Sequence, residues 1–350
     1  MAGMVAGALT APVLAQDVTF EGTVRSLTDK DPRVRLRAVD LLKGEGYLEA
    51  AVPLAALVTD PVDDVQYAAI AAELNTFLAQ RVTPKKRVGY LVEVRGSLDA
   101  EQVFDAGPGA LGPRRVPAPV AIALANGALD RTFRLALESL YAFGALAPEV
   151  SAADRPAVLQ QSGPLLAGLM GAPDPYMRVT ALRVVGRVFA HRPGDGVVDE
   201  RLGDAVIAAL NSREDAVRET AMWALGAMKY DRAVRGLTDL QLFYRKGLFA
   251  ERAYDSLAHI AHESSLPMFV ESLNGRDATY RMMAIEGLAR HGDRSRHEAI
   301  QAVVRAQKIE GILLAGHFAN AALGDGPITA IVDAMSRSKL REQARQYLVE

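Results

Sequence analysis

The chain has 350 residues, half of them hydrophobic but only 6% aromatic, with a formal charge of −2 and no cysteine. The lack of thiols excludes disulfides, thiolate catalysis and cysteine-ligated metal, and the near-neutral charge provides no global basic field for nucleic acid or an acidic membrane. Ala, Leu and Val dominate over aromatic residues, a balance that suits close-packed helices better than a β-sandwich.

At the start of the chain, residues 2–15 carry no charged side chain, and Val13 and Ala15 put small or medium residues at −3 and −1 before Gln16. That is the apolar core and cleavage site expected of a secretory signal peptide over residues 1–15, too short and too broken by Gly and Pro to span a bilayer. The expectation is a mature chain beginning near Gln16 in a periplasmic or secreted protein.

Beyond the leader one pattern recurs: an apolar residue at position 0, often followed by Arg, a small residue at +4, and apolar residues at +7 or +8. It begins at Val34, Val65, Phe133, Met177, Val217, Phe249, Tyr280, Ile312 and Leu340, at intervals of 31, 68, 44, 40, 32, 31, 32 and 28 residues. The interval of 68 is two periods, so a degenerate copy is expected inside it. These positions share one face of a 3.6-residue helix. At +4 stand Ala38, Ala69, Leu137, Ala181, Ala221, Ala253, Ala284, Gly316 and Ala344, which implies that a neighbouring helix approaches too closely there for a larger side chain. Asp31, Asp130, Asp174 and Asp277 lie three residues before position 0, where a carboxylate caps a helix and favours its positive end. A second apolar helix, such as 48–58 or 202–210, fills the space between copies. Each unit is therefore a helical hairpin that buries its apolar face only by stacking on the next.

With VRETAMWALG from Val217 as its clearest copy, this pattern resembles the HEAT repeat, and in particular the short variety known from phycobilisome lyases, D-x-x-V-R-x-x-A-x-x-x-L-G. The resemblance covers about residues 23–350. It implies an all-α chain folded as a right-handed α-solenoid of about nine to ten HEAT-like hairpins. Such solenoids serve mostly as scaffolds, and the bilin attachment performed by the lyases finds no support here beyond the repeat. The organisation expected is N-terminal repeats over 16–80, a degenerate repeat with a basic Gly/Pro-rich loop over 81–118, and repeats over 119–350 continuous with the first set.

Within 81–118, Gly107 to Gly112 reads GPGALG, the spacing of a dinucleotide-binding loop. That chemistry needs a strand before the glycines, a helix after them and an acidic residue about twenty positions on. Here the helical-looking DAEQVFDA (99–106) precedes, and Pro113 to Pro119 cannot continue as helix. The loop is a connection, and no cofactor is expected. The same region holds seven basic residues against four acidic ones. Lys85, Lys86, Arg87, Arg114 and Arg115 are its candidates for a partner contact.

Catalytic patterns are sparse. His259, His262 and Glu263 (HIAHE) could be imagined around a metal, but the spacing is not that of a metalloprotease, and His is electrostatically favoured near a helix end anyway. His191, His291 and His297 fall in turn-like stretches and read as surface residues, while Ser162-Gly-Pro reads as a helix start rather than a nucleophile elbow. No metal or catalytic residue is assigned. More informative is position +6 of the repeat, about 120° away from the stacking face. Its column runs Asp40, Ala71, Ser139, Arg183, Trp223, Asp255, Glu286, Phe318 and Gln346. If the second helix of each hairpin lines the concave side, Arg183, Trp223, Asp255, Glu286 and Phe318 form a strip suited to a binding hot spot. Trp223 has two readings, exposed in the groove or wedged beneath an adjacent helix.

The expectation is a non-catalytic scaffold or adaptor of the cell envelope that binds another protein along this strip, with no nucleic acid partner. Two alternatives stand beside it. Trp223 near Asp255 superficially resembles the HEAT-like alkylpurine DNA glycosylases, although a single Arg in the strip falls short of the phosphate contacts that duplex binding needs. A pigment or lipid carrier would require an apolar groove.

Overall fold

The computed structural model describes residues 19–79, 82–84, 91–93, 99–192, 198–324 and 326–350. The expected leader and Lys85, Lys86 and Arg87 lie outside these residues. The chain opens with hairpins α1 (Phe20–Ser26) with α2 (Pro32–Glu45), and α3 (Ala51–Ala55) with α4 (Asp63–Phe77). A short antiparallel ribbon follows, β1 (Val82–Pro84) against β2 (Leu91–Glu93) with Thr83 opposite Val92, and then α5 (Ala100–Ala106). Hairpins resume with α6 (Ala118–Gly127) and α7 (Phe133–Leu146), α8 (Arg155–Leu169) and α9 (Pro175–Val188), and α10 (Glu200–Ala209) and α11 (Asp215–Ala227). Next are α12 (Val234–Tyr244) and α13 (Leu248–Ile260), α14 (Leu266–Leu273) and α15 (Ala278–His291), and α16 (His297–Arg305) and α17 (Glu310–Leu323). The last pair is α18 (Thr329–Ala334) and α19 (Arg341–Val349). The architecture is an α-solenoid with one small β ribbon.

Packing follows the repeat register. Ala69, Ala181, Ala221, Ala253, Ala284 and Ala344 are completely buried, and Ala38 nearly so. At Gly316 a Cβ would run into Val304 of the preceding helix, so the absence of a side chain sets the helix spacing. The copy assigned to Phe133 is out of register. Thr132 is the N-cap of α7, Phe133 is exposed and Leu135 is buried, which moves position 0 two residues on. Position +4 is then Ser139 rather than Leu137. Ser139 is fully buried and its hydroxyl donates to the Leu124 carbonyl at 2.9 Å. Bulk at Phe133 imitated the repeat's first apolar residue, whereas the small buried side chain identifies the register. Ser162 is also corrected. It lies inside α8 and bonds back to the Val158 carbonyl.

Three of the four expected caps form. Asp31 accepts from Arg33 N at 2.9 Å, Asp174 from Tyr176 N at 2.7 Å, and Asp277 from Thr279 N at 2.9 Å. Asp130 instead accepts from Thr132 N, one turn before the helix, as Asp60 does from Val62 N. The Arg of the repeat ties neighbours together. Arg35 grips Asp60 through two 2.8 Å bonds, Arg178 pairs with Glu214 at 3.0 Å, Arg218 donates to the Tyr244 hydroxyl, and Arg281 donates to Gln307. Each of these partners belongs to the following hairpin's loop or first helix, so the arginines act as staples along one edge of the stack.

Among the described residues of 81–118 stand the β1–β2 ribbon and α5. The second hairpin packs directly on α6 and α7, and α5 lies against α7. GPGALG ends in a zipper onto α4, with Ala79 N donating to Ala110 O and Gly112 N to Phe77 O, both at 2.8 Å. Its backbone amide at Gly112 is therefore occupied by the chain itself. Arg114 donates to the carbonyls of Gly46 and Thr76 at the ends of α2 and α4, so it serves the fold rather than a partner.

Consecutive second helices, from α2 through α4, α7, α9, α11, α13 and α15 to α17, pack on one another without a break, whereas contacts between successive first helices thin out after α10. A curved stack compresses its inside and opens its outside, so the second helices form the inner face. No helix among the described residues is long and apolar enough to cross a membrane.

Candidate functional site

With α7 re-registered, the +6 column of the inner face reads Asp40, Ala71, Tyr141, Arg183, Trp223, Asp255, Glu286 and Phe318. The chain covers two stretches of it with its own helices. At the N-terminal side, α5 lies over Tyr141. Phe104 is buried 5.5 Å from the Tyr141 ring and rests against Gly144. A Cβ at Gly144 would overlap the Phe104 ring, so glycine is needed for α5 to approach. Glu101 Oε1 accepts from the hydroxyls of Tyr141 and Tyr176 at 3.0 and 2.9 Å. The adjacent Tyr141 hydroxyl, burial and the Glu101 carboxylate raise the Tyr176 pKa. Arg183 pairs with Asp105 and sits 5.1 Å over the Phe104 ring; Arg187 stacks on the same ring at 3.7 Å and donates to the Phe104 carbonyl.

At the other end, α19 lies over the column. Glu286 is only 5% exposed and Phe318 only 6%. Tyr347 stacks on Phe318 with ring centroids 4.4 Å apart and donates its hydroxyl to Glu286. These two strip residues are therefore corrected from open surface to covered floor. Burial raises the Glu286 pKa against the nearby Arg290 charge and the Tyr347 hydrogen bond.

Between the two covers the face is open. Trp223 is 45% exposed, with its six-membered ring resting against Gly186 of the preceding second helix, where a Cβ would overlap it. Both readings of Trp223 are half right: one edge is seated, and the rest faces solvent. Asp255 is half-buried on α13 near His259, whose Nδ1 lies 2.9 Å from the Asp255 carbonyl. Gly226 extends the same packing, because a Cβ there would press on Ser256 and His259. Glycine nine residues after position 0 in α7, α9 and α11 thus recurs as the seat for a neighbouring side chain or helix. This signal was visible in the sequence as Gly144, Gly186 and Gly226 once the α7 register is right.

The histidines do not converge. His262 Nδ1 accepts from Ser264 N, capping a short turn, while His259 bonds within its own helix. His191 is exposed, whereas His291 lies 3.0 Å from the Ala261 carbonyl and His297 2.6 Å from Asn320 Oδ1, so these two are structural rather than free surface residues. Among the described residues no three His, Asp or Glu side chains gather as a metal site. Arg115 is exposed beside Arg114.

A family model described as HEAT repeats matches residues 163–242, from within α8 to within α12. Residues 163–242 carry HEAT repeats, and the hairpins on either side continue the same stack. Its solenoid is similar to the crystal structure of an engineered protein, at 18% identity and a TM-score of 0.50 over 94% of this chain and 87% of that one. Yeast importin-beta aligns over 90% of this chain and 41% of its own length, at 14% identity and a TM-score of 0.49. A designed armadillo repeat protein aligns at 13% identity and a TM-score of 0.39, over 76% of this chain and 97% of that one. Comparison with curated proteins found no match.

Proposed function

We propose that this HEAT-repeat chain is a non-catalytic scaffold of the cell envelope that binds another protein through the open window of its inner face. The observation that carries this reading is Trp223, a large aromatic left half exposed between two stretches of the same face that the chain covers itself. Asp255 stands beside it on the open face, and Arg183, paired with Asp105, borders the window on its other side, so the window offers an apolar anchor with charged groups at its rim. A duplex-binding role is disfavoured because Arg183, the single cation of the strip, is already paired with Asp105. The export part of the proposal rests on the uncharged stretch 2–15 and the site before Gln16.

Affinity capture from the organism's own envelope fraction, run in parallel with unaltered and Trp223→Ala protein, tests the reading. A partner held by the unaltered chain should be lost or weakened at least about thirty-fold by the substitution, corresponding to about 2 kcal/mol. Equal capture by both proteins overturns the window as the site. N-terminal sequencing of the native protein should find a start within a few residues of Gln16, and retention of Met1 overturns export.

A further inference from the structure

The last helix does not stack like the others. A regular second helix would lie beside α17 alone, yet α19 reaches back across two hairpins to α15. Tyr347 donates to Glu286, Gln343 donates to the Gly311 carbonyl at 3.0 Å and to the Tyr347 hydroxyl, and Glu350 receives two bonds from Arg290 at 2.6 and 2.8 Å. Gln343, Tyr347 and Glu350 are spaced i, i+4, i+7, one stripe of a helix laid into a groove. The groove side is built for it: the Arg290 side chain is 2% exposed and lies between Glu286 and Glu350, while its guanidinium sits 5.4 Å from the Phe318 ring.

The attachment is narrow. Within α19 only Ala344 and Tyr347 are buried, whereas Leu348 and Val349 remain exposed. Nine residues are too few to hold an isolated helix in water, so the helix exists because it is docked. A helix held by a few anchors, over floor positions whose equivalent at Trp223 stands open, has the form of a bound ligand rather than a terminal cap.

We propose that α19 is an intramolecular ligand of the inner face. The outside partner that replaces it is a protein helix carrying a buried aromatic residue and, three positions on, a carboxylate, as Tyr347 and Glu350 do. This rests on the reading of the inner face as the binding surface. Displacing α19 would extend the open window from Asp255 to Phe318.

The test uses the full-length chain and a fluorescein-labelled peptide of residues 338–350. A Tyr347→Ala, Glu350→Ala chain, with its own helix weakened and its groove intact, should bind the peptide at least about ten-fold more tightly than the unaltered chain does. Adding Arg290→Ala should abolish that binding. In the unaltered chain, amides of α19 should exchange hydrogen at least about a hundred-fold faster than those of α15, through local opening. Failure of the peptide to bind the weakened chain overturns the proposal, as does exchange of α19 only at the rate of α15. If the weakened chain does not fold, the exchange measurement on the unaltered protein decides. The capture comparison at Trp223 is independent, so its success beside a failed peptide experiment removes the terminal-helix inference alone.

Discussion

Replacing Trp223 and Gly186, singly and together, tests how the inner face is assembled. A fully buried Trp covers up to about 250 Å²; with 45% of the residue exposed, roughly half that area is sheltered, worth about 3 kcal/mol at about 25 cal/mol per Å². Alanine keeps the Cβ contact and the unfolded chain already hides part of the ring, so Trp223→Ala should cost about 2 kcal/mol. Gly186→Ala adds a methyl group where the ring now rests. The gain in helix propensity is about 1 kcal/mol, but the indole, free on its other side, must swing out and lose its seat, so the net change should fall between zero and about 1 kcal/mol destabilising. In a Trp223→Ala background the ring is gone and Gly186→Ala should stabilise by about 1 kcal/mol, giving a coupling of about 1 kcal/mol or more. Urea unfolding followed by circular dichroism supplies all four stabilities. The emission of this single Trp should shift to the red in Gly186→Ala as the ring enters solvent. Additive substitutions, or an unshifted emission, would refute the idea that glycine seats the indole.

The stacking register predicts that Ala221→Phe and Ala284→Phe each cost about 1–3 kcal/mol through overpacking, while Asp40→Ala, exposed on α2, costs under about 0.5 kcal/mol; equal losses in chemical denaturation would mean the register is wrong. Glu73 is fully buried on α4, with neither carboxylate oxygen hydrogen-bonded, and burial raises its pKa well above the usual value. Because the unfolded chain releases this proton first, stability is highest at or below the ordinary Glu range and falls as pH rises toward the folded pKa. Glu73→Gln should flatten that decline and stabilise the protein by about 1 kcal/mol or more at pH 8, and an unchanged slope of melting temperature against pH would contradict it. Arg35→Ala, which strands the buried Asp60 carboxylate, should lower the melting temperature far more than Arg33→Ala, whose partner Asp31 lies in the open.

Local chemistry carried much of the architecture. An alanine every thirty-odd residues, a capping Asp before it and an Arg after the first apolar position specify a helix pair and its spacing, because these signals act within one or two turns. The accident at GPGALG could also be recognised locally, since a helical segment rather than a strand leads into it. Phe133 shows where local reading slips, because an exposed aromatic and a buried one look alike until a neighbour is present. The Arg ladder was visible as a letter, but its partners Asp60, Glu214 and Gln307 lie 25, 36 and 26 residues on, set by how far one hairpin is offset from the next. Occupancy of the inner face depended wholly on tertiary structure. Arg183, Trp223, Asp255, Glu286 and Phe318 hold equivalent places in the repeat, and nothing within any single repeat distinguishes them. Which of them meets solvent is decided by α5 and α19 returning over the face from elsewhere in the chain, contacts that span about 60 to 80 residues of sequence and leave no periodic trace.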